Sequence, residues 1–125
     1  DPNNPIIMNN LSTILITQGE LSQARSLAER AVRLSPEDPR ILDTLGVVML
    51  RQGDAEGAIP LLSRAARNEA AGPEISLHLA QALRDHGRIA AARSVLQDLL
   101  ASESSSATHG AAETLLRDMS LDGAN

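Results

Sequence analysis

The 125-residue chain has no cysteine, no phenylalanine, tyrosine or tryptophan, and no lysine, so that all 11 basic residues are arginine. Without cysteine there are no disulfides, no thiolate nucleophile and no thiolate metal site, and the redox compartment is left open. Without aromatic rings there are no platforms on which single-stranded nucleic acid could stack. The arginines face 16 acidic residues, and a net charge of -5 without a basic cluster argues against a phosphate backbone as partner. No stretch approaches the ~18 consecutive apolar residues of a membrane-spanning helix. The opening DPNN is polar and lacks the basic and apolar regions of a secretory leader. The expectation is a soluble chain, in the cytoplasm or the periplasm, with no address that selects between them.

What the chain does have is a repeat. From Pro39 to Ala70, Leu42, Leu45, Gly46 and Met49 fall at spacings of one helical face, and after Gly53 a second stripe follows at Ala58, Leu62 and Ala65. This is one helical hairpin. A shift of 34 residues back pairs Pro39 with Pro5, Leu45 with Leu11, Gly53 with Gly19, Ala58 with Ala24 and Ala65 with Ala31; the same shift forward reaches Pro73, Leu79, Gly87 and Ala92. Asn4, Asp38 and Gly72 each precede a proline, and a short capping residue followed by Pro at the first helical position is a helix start, because the N–H that Pro lacks would have no helical partner there. First helices are therefore expected from residues 5, 39 and 73 to the glycines at 19, 53 and 87. Second helices are expected over about 21–34, 54–69 and 88–102. Pro60 falls in a second turn, where it forfeits a backbone bond to Glu56 and predicts a modest kink, with Gly57 relieving the crowding.

After Leu100 the run ASESSSAT is polar, and Ala112, Leu115, Leu116 and Met119 then restore a first-helix pattern 36 residues beyond Ser76. We expect a single capping helix over about 109–119 behind a loop two residues longer than the others, with SLDGAN fraying. DPNNP matches SPEDP at Ser35–Pro39, so the start is expected to fall inside a longer array.

A helix–Gly–helix unit with a period of 34 resembles the tetratricopeptide repeat. Its W-x2-L-G-x2-Y and A-x3-F patterns survive as L-x2-L-G-x2-M and A-x3-L. The Trp position holds Met8, Leu42 and Ser76, and the Phe position Ala28, Leu62 and Leu96. The resemblance implies an all-α fold, a right-handed superhelix of antiparallel helical hairpins, with repeats over about 5–38, 39–72 and 73–106 and the cap behind them. It also implies that first helices line a concave groove. Partner-binding candidates there are Asn9, Asn10, Thr13 and Thr17 from the first repeat, Arg40, Asp43, Thr44, Val47 and Arg51 from the second, and Glu74, His78, Gln81 and Asp85 from the third. One subfamily grips the terminal carboxylate of chaperone tails between bases and asparagines. Here Thr13 and Thr44 stand for asparagines and Glu74 and His78 for bases, so that ligand is not expected. The stretch from Asn9 to Asp54 is also similar to bacterial repeat proteins that scaffold secretion or exopolysaccharide systems.

Catalytic constellations are absent from the pattern. His78 and His86 lie eight residues apart, about 12 Å along one helix, too far to share a metal. Ser104–Ser106 have no His–Asp partner, and the glycines occupy turns and not a phosphate loop. Arg25, Arg33, Arg64, Arg67 and Arg93 fall on second helices among acids, as a solvated convex face. The expected function is a noncatalytic protein-interaction scaffold without cofactor or metal, taking a peptide or helix in the groove; the alternative is a self-association module, with a weak homo-oligomer formed through the N-terminal helix.

Overall fold

The computed structural model describes residues 3–102 and 106–123. Among them are seven helices and no strand: α1 (Pro5–Thr17), α2 (Leu21–Leu34), α3 (Pro39–Arg51), α4 (Ala55–Ala66), α5 (Pro73–Asp85), α6 (Ile89–Ala101) and α7 (Ser106–Gly123). The starts follow the capping chemistry. Asn4 Oδ1 accepts from the amides of Ile6 and Ile7 at 2.9 and 3.3 Å, and Asp38 Oδ1 from that of Arg40 at 3.0 Å. Each first helix ends at a glycine with positive φ, 79° at Gly19, 85° at Gly53 and 81° at Gly87. The reversal lets the next amide reach back to a helical carbonyl, from Glu20 to Leu15, Asp54 to Met49 and Arg88 to Leu83 at 2.8–2.9 Å.

Small residues set how close the helices come. Ala24, Ala31, Ala58, Ala65 and Ala92 are fully buried. Ala31 sits between Met8 of α1 and Ile41 of α3, and Ala65 between Leu42 of α3 and Ile75 of α5, so each serves the approach of the following hairpin. Where α1 and α2 cross, the buried Ser12 hydroxyl donates to the Ala24 carbonyl at 2.8 Å. At the equivalent Gly46 a Cβ would lie 2.6 Å from the Leu62 side chain. The largest core cluster runs from Ala28 and Leu45 through Leu62, Leu79 and Leu96 to Leu115 and Met119 of α7, so α7 covers the last apolar face.

First helices touch in succession, α1 with α3, α3 with α5 and α5 with α7, whereas α2, α4 and α6 do not meet one another. The stack of antiparallel hairpins therefore bends with the odd-numbered helices inside. The chain is an all-α solenoid.

Several sequence expectations are corrected. Helix α4 ends at Ala66, short of residue 69, and α7 extends the expected 109–119 at both ends, with Ser120–Gly123 helical. Of the polar run before it, Ser106–Thr108 already belong to α7, and residues 103–105 lie outside the described residues. Apart from these corrections, α4 runs on past the exposed Pro60, where a kink and not a stop is expected, and Gly57 donates its amide to Asp54 Oδ1 at 2.9 Å at the helix start. Leu11 is 44% exposed although its equivalents Leu45 and Leu79 are buried.

Candidate functional site

The inner surface is a trough built by α3, α5 and α7. Between α3 and α5 lies a cleft of about 390 Å³ lined by Val47, Leu50, Arg51, His78, Gln81, Arg84 and Asp85. It adjoins a second hollow of about 350 Å³ between α5 and α7, which shares Gln81 and Arg84 and adds Thr114, Leu115 and Asp118. A larger hollow of about 450 Å³ lies elsewhere, among the ends of α4 and α6 and the start of α5, and its lining reaches Ser102 beside residues 103–105.

Val47 and Leu50 give the first cleft an apolar floor one helical turn long. Gln81 offers an amide that can both donate and accept. Arg84 donates to its neighbour Asp85 through Nε at 3.1 Å, while Arg51 is exposed and has no ion pair among the described residues. His78 Nδ1 and Asp43 Oδ1 are 2.8 Å apart, with side chains 29% and 19% exposed. This bond joins α3 to α5 across 35 residues of sequence. A neutral imidazole can form it by donating from Nδ1.

Five of the candidates, Val47, Arg51, His78, Gln81 and Asp85, thus line one cleft, and Asp43 reaches it through His78. The rest do not. Thr44 is buried and its hydroxyl donates to the Arg40 carbonyl at 3.0 Å. Arg40 folds over Asp38 at the start of α3, 3.2 Å from Oδ2, beside Asn68 and Ala70 at a different edge. That guanidinium holds the Asp38 carboxyl below the ordinary aspartate range, its hydrogen bond being the largest cause. Glu74 accepts from Thr108 of α7 at 3.3 Å, which closes the α5–α7 seam. On α1, Asn10, Thr13 and Thr17 are exposed, and the two threonine hydroxyls donate to the carbonyls of Asn9 and Ile14. Asn9 Oδ1 is buried without a hydrogen-bond partner among the described residues.

Leu50 and Arg84 were not among the candidates, although they are register equivalents 34 residues apart and each lies one turn beyond a candidate, Val47 and Gln81. That shared register was the signal. The outer arginines are also more than a solvated face. Arg25 reaches Gln52 at 2.9 Å, and Arg64 reaches the Pro36 carbonyl and Glu37 at 3.0 Å, so both bracket successive hairpins. Among the described residues no group of three or more His, Asp or Glu side chains could hold a metal ion, and no helix is long and apolar enough to cross a membrane.

Two tetratricopeptide repeat family models match the chain, over residues 9–74 and 49–116. No curated protein matches it in sequence. Among solved structures, the fold is similar to that of the type III secretion translocator chaperone SycD of Yersinia enterocolitica, with a TM-score of 0.82 and 21% identity over 95% of this chain and 93% of that one. It is similar also to the first TPR domain of human RPAP3, with a TM-score of 0.83 and 13% identity over 99% and 95% of the two chains. A third likeness is PcrH, solved with the chaperone binding region of PopD, at a TM-score of 0.81 and 19% identity over 93% and 90%.

Proposed function

Because the chain belongs to the tetratricopeptide repeat family, we propose that it is a noncatalytic protein-interaction scaffold that holds a peptide or helix of a partner in the trough along α3, α5 and α7. The observation that carries this reading is the cleft in which Val47, Leu50, Arg51, His78, Gln81 and Asp85 converge from two helices. The repeats are then those over 5–38, 39–72 and 73–106, with α7 as the cap. An apolar floor beside Arg51, which has no ion pair among the described residues, favours a segment that presents an apolar side chain next to an acidic one. Among proteins of similar fold, SycD has been solved with a peptide of the translocator YopD, which supports a peptide as the class of partner.

The test is selection of peptides from a random library against the chain. Binding of the selected peptides is expected to fall at least tenfold with Val47→Glu and with Arg51→Glu, and to be unmoved by Arg67→Glu on the outer face. Peptides lost with Arg67→Glu but kept by both trough variants would move the site to the convex side.

A second reading is self-association, favoured by one observation. Ile6, Ile7, Leu11 and Ile14, all on α1, are between 44% and 52% exposed. Contiguous exposed apolar surface of this kind marks an interaction site.

A further inference from the structure

We propose, resting on the trough as the place where a partner segment binds, that the trough takes its ligand in one direction: an extended segment crosses it with a carboxylate over Arg51 on the α3 side and an ammonium or guanidinium over Asp118 on the α7 side. The two hollows lie side by side, one between α3 and α5 and the other between α5 and α7, and Gln81 and Arg84 belong to both. Each has an apolar part, Val47 and Leu50 in the first, Ala111 and Leu115 in the second. A segment that fills both must pass over α5.

The charges along that path are ordered. Arg51 at the end of α3 and Asp118 on α7 are both exposed, and neither has an ion pair among the described residues. Between them the charges of α5 cancel, because Arg84 gives both Nε and Nη2 to Asp85 Oδ1 at 3.1 Å. Asp43 is engaged by His78 at 2.8 Å and Glu74 by Thr108 at 3.3 Å, and Glu113 and Arg117 of α7 line neither hollow. What remains to face a ligand is a cation at one rim and an anion at the other. A segment laid the wrong way round would set like charge against like at both ends, which is how an interface rejects a register. The conformation of the segment follows from Gln81. Its amide makes no hydrogen bond among the described residues, is only half-buried, and stands on α5 where the segment crosses. An extended backbone has N–H and C=O groups to exchange with such an amide, whereas a helix has already bonded its own. Packed helices lie ~8–10 Å apart, so the two steps from α3 to α7 span ~16–20 Å, which an extended chain rising ~3.3 Å per residue covers in about five or six residues. The fitting partner is therefore a stretch with an acidic and a basic residue at that separation and apolar side chains between them.

The test uses peptides selected from a random library against the whole 125-residue chain, keeping those whose binding is lost with Val47→Glu. These are expected to carry the acid and the base at the stated separation, and Arg51→Glu and Asp118→Arg are each expected to weaken them about tenfold or more. Recovery is expected only in matched exchanges: Asp118→Arg with a peptide whose base has become glutamate, and Arg51→Glu with a peptide whose acid has become lysine. Trough-bound peptides that ignore Asp118→Arg, or that recover when the exchanges are crossed, overturn the order of charges and leave trough binding standing. A selection that returns no peptide sensitive to Val47→Glu overturns both. If Asp118→Arg lowers helix content, a nitroxide on the acidic end of the peptide decides with the unaltered chain: it is expected to broaden the amide signals of α3 more than those of α7, and equal or reversed broadening overturns the proposal.

Discussion

Helices α1 and α3 carry the same apolar stripe and put it to opposite use. Ile41 is buried among Met8, Leu27, Ala31 and Val32, and Val48 among Leu15, Ile16, Leu21 and Ala24, side chains that all come from α1 and α2. The matching Ile7 and Ile14 of α1 are each 52% exposed. Side-chain chemistry, helix length and register are nearly the same in the two helices, so burial here is a property of the neighbouring hairpin and not of the stripe. Stability in such an array is a sum of repeat and interface contributions, and α1 lacks one interface among the described residues.

The comparison is broken most directly by truncating both members of a pair. Ile41→Ala is expected to cost about 2–5 kcal/mol, as for a large side chain removed from a core, while Ile7→Ala stays within about 0.5 kcal/mol. Urea unfolding of the two variants checks this, and equal shifts in midpoint would show that α1 is covered as well as α3. A smaller effect is expected where the two helices of a hairpin cross. Gly46→Ala forces a methyl against Leu62 and should destabilise by about 1–3 kcal/mol, less whatever helix propensity returns. In α1 the site already holds Ser12, and Ser12→Ala should cost about 1 kcal/mol through loss of its bond to the Ala24 carbonyl. A destabilisation by Ser12→Ala larger than that by Gly46→Ala would reverse the packing argument.

The smallest difference sharpens the comparison at the helix starts. Asp38 caps α3 with a carboxylate held below its ordinary range by Arg40, whereas Asn4 caps α1 with an amide that does not titrate. A depressed carboxyl contributes stability that is complete at neutral pH and is lost as pH falls below the ordinary aspartate range and through the folded value. Asp38→Asn keeps the acceptor and removes the charge. The stability gap between wild type and this variant should therefore be small at pH 7, as for an exposed pair, and narrow as the pH falls below the ordinary aspartate range. A gap that widens on acidification would contradict the sign.

Helix positions were legible because their causes are local. Asn4-Pro5 and Asp38-Pro39 set starts, Gly19, Gly53 and Gly87 set ends, and the 34-residue recurrence of Ala24, Ala58 and Ala92 set the pairing within each hairpin. The far end of α7 was misjudged for the complementary reason. Its polar Ser120–Gly123 reads as fraying by composition, yet it continues from Met119, which is 1% exposed in the core.

The trough depended on more than local causes. Sequence alone determined which residues of α3 and α5 share a face, because 3.6 residues per turn and a fixed repeat leave no freedom there; that the face of Val47, Arg51, Gln81 and Asp85 is the one to name followed from the resemblance to the tetratricopeptide repeat. Tertiary structure decided the rotation of each inner helix against the next. That rotation turned Thr44 inward, drew Glu74 to Thr108 and brought Asp43 to His78 across 35 residues. It is set by how side chains such as Ala31, Ile41, Ala65 and Ile75 interlock between hairpins, a balance of volumes over several helices that no single stretch of sequence contains.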